Sequence, residues 1–474
     1  MILFELNVRL YRRTLSELAA EHLERLAALG FDWIWLMGLW RIGPRAIAIS
    51  RTYGDDFEGS PYAIHDYEVS PELGGEPALR AFVERAHALG LRVMADFVPN
   101  HMSVDSPLID AHPDYVIHWS PSFRDAHWSD YFDHPKGRLA HGKDPYFAGW
   151  TDTVQLDYTH VGLRAHQIET LRRLARIVDG VRCDMAMLVL RDQIKRQWFP
   201  RVDQALFDHH FPEEFWSEAI RTIKRDRPEF TFMAEVYWDK EPYLQHLGFD
   251  FTYDKKLHDL LAHAAPEAEI AGYLGGADPA YLRRSVHFLE NHDEERARVR
   301  FGDRQRAAAI LSFGVPGAVF VHQGEMEGVS EKLPVQRRIP REHAPVDPAR
   351  QRFYAELLRC VRDPLLREGS LDILRAEGGL VLVLRRRAGR AALVGACPGH
   401  HPPEKSPAFT VPGALLGAAG AAGEGGLTFL DQLAGGTVTA ARRGEDVVFA
   451  EGAVASFAEH RGFVLSPIGG ESGR

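Results

Sequence analysis

The 474 residues carry 56 basic against 66 acidic side chains, a formal net charge of −10, with 45% hydrophobic and 26% charged residues. That length gives room for a large core and more than one domain, and the acidic balance disfavours nucleic acid or an anionic membrane as partner; a neutral small molecule suits it better. The three cysteines, Cys183, Cys360 and Cys397, are odd in number and lack metal-type spacing, which argues against a disulfide framework or a zinc site and makes Cys183 a small core residue.

The opening residues 1–7 have no basic stretch and no small-residue cleavage site, so no signal peptide and a cytoplasmic location are expected. From residue 2, short apolar runs alternate with segments of helical period, the pattern of repeated βα units around a parallel sheet. Residues 2–6 predict a first strand, 15–29 a helix closed by Gly30, and 32–36 a second strand. Leu79, Phe82, Val83, Ala86 and Leu89 fall at helical spacing ahead of Gly90, a C-cap, and 91–96 predict the third strand.

The rhythm stops between His101 and about His160, a stretch rich in His, Pro, Asp and aromatic residues that marks a functional excursion or small subdomain. It resumes with Ile168, Leu171, Leu174 and Val178 on one helix face, leading into a strand at 180–184. Residues 231–235, 248–253, 285–289 and 317–321 predict four more strands, with helices around 213–227, 256–264 and 305–313. The nearly uncharged run 307–321 is broken by Gly314, Pro316 and Gly317, and reads as helix, turn and buried strand, not a membrane span.

Eight such units predict an α/β chain folded as a closed (β/α)8 TIM barrel, whose chemistry sits at the C-terminal strand ends. A doubly wound open sheet is the alternative, and no G-x-G-x-x-G turn after a strand supports it. Residues 349–362 read as the last barrel helix, and 379–385, 391–395 and 445–450 as strands of a β-rich C-terminal domain. The Gly/Ala run 417–426 reads as a flexible loop. The expected organisation is a barrel from 1–100 and 161–362, an insert at 101–160 after the third strand, and a β-sandwich-like domain at 363–474.

Polar residues fall where these strands end: Asp96 with Asn100 and His101, then Arg182 and Asp184, then Glu235, then His292 and Asp293. Arg182 and Asp184 are two apart in a strand and so share one side of it, which lets the guanidinium hold the carboxylate ionised. Carboxylates gathered on one face are costly to bury unless used. Paired carboxylates suit acetal hydrolysis, one attacking the anomeric carbon while another, kept protonated, donates to the leaving oxygen.

Asp96-Phe-Val-Pro-Asn-His101, Asp179-Gly-Val-Arg-Cys-Asp184, Ala234-Glu235 and Phe288-Leu-Glu-Asn-His-Asp293 resemble, in order and spacing, the four motif regions of the α-amylase superfamily, glycoside hydrolase family 13. Val154-Gln-Leu-Asp157 resembles a fifth. The resemblance implies a retaining enzyme with Asp184 as nucleophile, Glu235 as general acid/base and Asp293 as the third carboxylate, gripping sugar hydroxyls. It implies that Arg182 orients Asp184, that Asp96, His101 and His292 contact the sugar, and that Tyr62, in Ser60-Pro-Tyr62, stacks on the reacting glucose. It also implies a B domain in the excursion and a C domain beyond the barrel.

Two features depart from family patterns: Met187 and Leu188 stand where many members carry a Lys-His pair that serves a calcium site, and Ala63 stands where an exo-acting branch has Asp. Calcium then rests on Asn100 alone, and no cofactor is expected. Trp35, Trp40, Trp119, Trp128 and Trp150 are each open to a core role or a sugar-stacking one. Glu325 and Glu290 are open to a role at the site, and Lys332, Arg337 and Arg338 read as a solvated loop with acceptor binding as the alternative.

The expected activity is cleavage of α-glucosidic bonds in maltooligosaccharides, glycogen fragments or related α-glucosides through a covalent glycosyl-enzyme intermediate. A transglycosylase, or an isomerase of the trehalose-synthase kind, is the enzymatic alternative, because water and a sugar hydroxyl compete for the same intermediate. A non-catalytic sugar-binding or partner-binding barrel is the alternative outside enzymes.

Overall fold

The computed structural model describes residues 1–120, 128–339, 346–419 and 427–468. Its centre is a closed barrel of eight parallel strands: Ile2–Asn7 (β1), Trp33–Met37 (β2), Arg92–Phe97 (β3), Gly180–Cys183 (β4), Thr231–Ala234 (β5), Phe251–Tyr253 (β6), Ser285–His287 (β7) and Ala318–His322 (β8). Each strand pairs with the next, and β1 closes the ring against β8. All eight expected strands are present, with ends displaced by a few residues at most.

Strand alternation divides each strand between two cores. Leu3, Trp33, Trp35, Met37, Met94 and Met233 fill the barrel interior, while Ile2, Phe4, Leu6, Ile34 and Leu36 pack outward under the helices. Glu5, in step with Leu3, therefore points inward at the C-terminal end of β1. The register sets Arg182 beside Asp96 across β3 and β4.

The helix Leu15–Leu29 (α1) starts at a capping box in which Thr14 and Glu17 satisfy each other's backbone N–H, a device worth about 1 kcal/mol. Gly30 ends it in the left-handed conformation, φ 90°, which a side chain would strain. Helices Gly75–Ala88, Val161–Ala175, Phe215–Asp226, Lys255–Ala262, Gln305–Gly314 and Pro348–Val361 fall where helical spacing predicted them. Short helices such as Pro44–Ser50, Arg191–Trp198 and Gln204–His210 went unread, because a helix of seven or eight residues shows barely two turns of pattern.

After β3 the chain leaves the barrel and returns at Val161. His101–Ser103 pairs antiparallel with Thr153–Gln155, and Tyr131–His134 with Gly137–Ala140, so the excursion folds back on itself above the strand ends. Beyond the barrel, eight antiparallel strands form one sheet. Its alternation again serves two cores: Val381 and Val383 pack on the barrel helices, Leu382 and Leu384 on the sheet's own interior. Of the Gly/Ala run, 417–419 belong to a 3-10 segment, Gly413–Ala419, and the remainder lies outside the described residues.

Candidate active site

β4 places Arg182 with no solvent exposure at the barrel mouth. Its Nη1 lies 2.7 Å from Asp184 Oδ1 and 3.6 Å from Asp96 Oδ1, while Nη2 lies 2.7 Å from Glu235 Oε2. The rings of Trp35, Tyr62 and Tyr253 surround the guanidinium at 4.9, 5.4 and 6.0 Å. The arginine thus joins three carboxylates from three consecutive strands, where the sequence suggested only its pairing with Asp184. Burial opposes its charge, yet Glu235 and its neighbours hold the pKa above the ordinary value.

Past Asp184, Met185 adopts a left-handed conformation at φ 41° and aims its N–H at Glu235 Oε2, 2.7 Å away. The Tyr237 hydroxyl donates to the other oxygen, Oε1, at 2.8 Å. Glu235 is therefore fixed at both oxygens. Burial pushes its pKa up to about 7 against the pull of Arg182, with Asp184 adding to the rise. Burial raises Asp184 also, while Arg182 pulls it down. Asp96 is pushed up to about 7 by burial and accepts from the Gly38 N–H at 3.3 Å.

His292 stands between carboxylates, with Nδ1 2.5 Å from Glu5 Oε1 and Nε2 3.0 Å from Asp293 Oδ2. Tyr62 Oη is 2.7 Å from the same Nε2, and the two rings stack at 5.5 Å. Burial opposes the charges on both His292 and Asp293, but their pairing raises the histidine and lowers the aspartate. His101 is buried against Trp150, and burial drops its pKa to about 3, so it is neutral.

These side chains open onto one cleft of about 470 Å³, lined by Tyr62, His101, Asp184, Glu235 and Asp293 together with Trp150. Asp96, Arg182 and His292 form its buried floor. Sequence reasoning missed Asp144, Phe147, Asp152, Met185, Tyr237 and Gln336 in the lining, and Glu5 beneath it. Asp144 accepts from the N–H groups of Tyr146 and Phe147, a turn that leaves Phe147 exposed at the rim. Its signal was only an Asp-Pro-aromatic cluster inside an aperiodic stretch.

Other readings change. Trp35 and Trp40 are buried core residues, Trp119 is exposed, and only Trp150 of these reaches the cleft; the Trp128 side chain lies outside the described residues. Glu325 turns away from the cleft, accepting from the Tyr354 hydroxyl at 2.6 Å, and Glu290 is buried against Arg296 at 2.5 Å. Arg338 is buried and pairs with Glu58 at 3.0 Å, whereas Arg337 keeps part of its side chain in solvent and pairs with Asp56 at 2.5 Å. Lys332 is exposed and donates to the Asp293 carbonyl.

Asn100 is engaged by Gln155. Its side-chain oxygen and its carbonyl oxygen accept from the Gln155 amino group at 2.9 and 3.0 Å, and that carbonyl also accepts from the Leu156 N–H at 3.1 Å. An amide nitrogen occupies the point where these oxygens converge, tying the excursion to the end of β3. Among the described residues, no group of three His, Cys, Asp or Glu gathers as metal ligands, and no helix is long and apolar enough to cross a membrane.

The family model of the alpha amylase catalytic domain matches residues 19–369. "Alpha-amylase MalA" of Haloarcula japonica is 25% identical over 385 residues, covering 79% of this chain and 50% of that protein. An alpha-1,4-glucan:maltose-1-phosphate maltosyltransferase of Salinibacter ruber is 27% identical over 255 residues, covering 51% of this chain and 33% of that one. The chain thus spans half or less of the length of these two curated relatives. Among solved structures, a noncanonic maltogenic alpha-amylase, AmyB of Thermotoga neapolitana, aligns with a TM-score of 0.74 at 22% identity over 99% of both chains. With the family model covering most of its barrel, the chain belongs to the alpha-amylase family.

Proposed function

We propose that the protein cleaves α-glucosidic bonds of maltooligosaccharides or related α-glucosides with retention of configuration. The observation that carries this reading is the convergence of Asp184, Glu235 and Asp293 on one cleft, with Arg182 bound to both Asp184 and Glu235. Their environments differ as the chemistry requires. Glu235, raised to about 7, holds a proton near neutrality and donates it to the leaving oxygen. Asp184, bonded to a fixed cation, attacks the anomeric carbon and forms a covalent glycosyl intermediate. Glu235, now ionised, takes a proton from the incoming water, whose oxygen attacks the anomeric carbon and releases Asp184. Asp293, ionised beside His292, meets the sugar hydroxyls and the developing positive charge, and Tyr62 offers its ring face to the glucose.

The reading carries no metal, and the hydrogen bond from the Gln155 amide to Asn100 supports it. Three free, buried cysteines accord with a cytoplasmic setting. Transfer to a sugar hydroxyl is the second reading, favoured by the maltosyltransferase relatives, and uses the same residues. Incubation with maltoheptaose, followed by NMR and chromatography, separates the readings. Shorter products appearing first as α-anomers support hydrolysis with retention, and longer or rearranged products support transfer. First products of β configuration, or no products from a range of α-glucans, reject the proposal.

A further inference from the structure

We infer that Glu5 is a positioning residue of this site: from the end of β1 it holds His292 as a doubly protonated ring that grips Asp293 and Tyr62. The inference deepens the proposed reaction and rests on it. Both ring nitrogens face carboxylate oxygens, Nδ1 at 2.5 Å from Glu5 and Nε2 at 3.0 Å from Asp293. A neutral imidazole carries one N–H, so one of these contacts would set a nitrogen lone pair against a carboxylate. A neutral ring can accept at Nε2 from the Tyr62 hydroxyl at 2.7 Å, but only the imidazolium presents an N–H to both carboxylates.

Glu5 has the placement for this task. It has no solvent exposure, points into the barrel, and its second oxygen has no hydrogen-bond partner, lying 3.9 Å from His322 Nε2. A buried carboxylate of this kind is unfavourable unless a cation offsets it. The groups facing His292 are Glu5 from β1, Asp96 from β3, Arg182 and Asp184 from β4, and Asp293 and the Tyr62 hydroxyl at the mouth; His322 of β8 stands behind Glu5. Glu5 and Asp293, the two carboxylates in direct contact with the ring, favour its charged form. Burial opposes ionisation of both partners, yet Glu5 titrates below and His292 above their ordinary values. Held in this way, the ring shares its Nε2–H between Tyr62 and Asp293 and fixes the third carboxylate against the platform tyrosine.

The test is Glu5→Gln, which keeps size and a hydrogen-bond acceptor but removes the charge. With 4-nitrophenyl α-maltoside, whose good leaving group needs no proton from Glu235, the alkaline limb of kcat/KM should move toward acid by about 1 to 3 pH units, as loss of an adjacent opposite charge to His292 dictates. The loss relative to wild type then grows with pH. A uniform loss at every pH, or an unmoved limb, would overturn the inference.

Nitrogen-15 NMR of histidine-labelled wild-type protein gives a second readout, with the His292 signals identified by their disappearance in His292→Asn. Two protonated ring nitrogens at pH 8 are expected. A singly protonated ring there overturns the inference, whether or not Glu5→Gln folds and whether or not the protein turns over any glucoside.

Discussion

Two arginines, Arg182 and Arg385, are fully buried, and they end in opposite surroundings. Arg182 at the barrel mouth faces Asp96, Asp184 and Glu235. Arg385, at the seam between barrel and C-terminal sheet, donates only to backbone: to the carbonyls of Ser370, Gly314 and Gly369 at 3.0, 2.5 and 3.0 Å. Burial lowers its pKa to about 9, whereas Arg182 is held above the ordinary value. The seam is also tight, since a Cβ on Gly314 would lie 2.6 Å from Val394 Cγ1. A buried guanidinium fed by carboxylates sets the protonation of its neighbours, while one fed by carbonyls ties helix Gln305–Gly314 to the sheet.

That contrast predicts losses of different kinds. Asp184→Asn removes the nucleophile that Arg182 orients, and steady-state kinetics on maltoheptaose should show kcat lower by about 10⁴-fold or more. Activity within tenfold of wild type would assign the attack elsewhere. Arg182→Lys keeps a charge but loses the fork that reaches Asp184 and Glu235 together, with an expected loss of about 10²- to 10³-fold in kcat.

Arg385→Leu should leave kcat/KM of the folded protein unchanged within about twofold, yet lower stability by about 3 kcal/mol in urea unfolding, because two buried carbonyls and one part-buried carbonyl lose their donor. If activity fell more than stability, the division between the two arginines would fail.

The smallest effect runs the other way. Glu235 titrates near 7 folded, against about 4.3 unfolded, so between these values the unfolded chain gives up a proton the folded chain retains. Stability attributable to this group therefore falls as pH rises through that window and is flat above it. Glu235→Gln should be inactive on maltooligosaccharides yet more stable than wild type, by at most about 4 kcal/mol at pH 8 and by little at pH 4, read from thermal melts. A variant less stable at pH 8 would contradict the raised value.

The barrel was legible because each strand is a short apolar run bounded by turn residues, and because the polar groups at strand ends fall in the family's order. Arg182 and Asp184 were legible as a pair because two residues apart in a strand means one face. Arg182's ion pair with Glu235 depends on how β4 and β5 lie side by side, which no local pattern records.

Glu5 was hidden for the same reason. It reads as one polar residue in an apolar strand, and its partner His292 is 287 residues away. Strand alternation from Leu3 carried a trace of it, since an inward position filled by Glu demands a partner. Phe147, Asp144 and Asp152 were illegible because the excursion has no period, and only its folding back over the mouth makes them cleft residues. Asn100 alone marks a candidate calcium oxygen, and what the residue by itself cannot show is that Gln155 reaches it.

The most direct test of the account is to trap the intermediate. Incubation with a 5-fluoro-α-glucosyl fluoride, followed by intact-protein and peptide mass spectrometry, should show one fluoroglucosyl unit added, located on the peptide containing Asp184 and absent from Asp184→Asn. Steady turnover of maltoheptaose with no adduct, or an adduct on any other carboxylate, would contradict the assignment of Asp184 as the nucleophile.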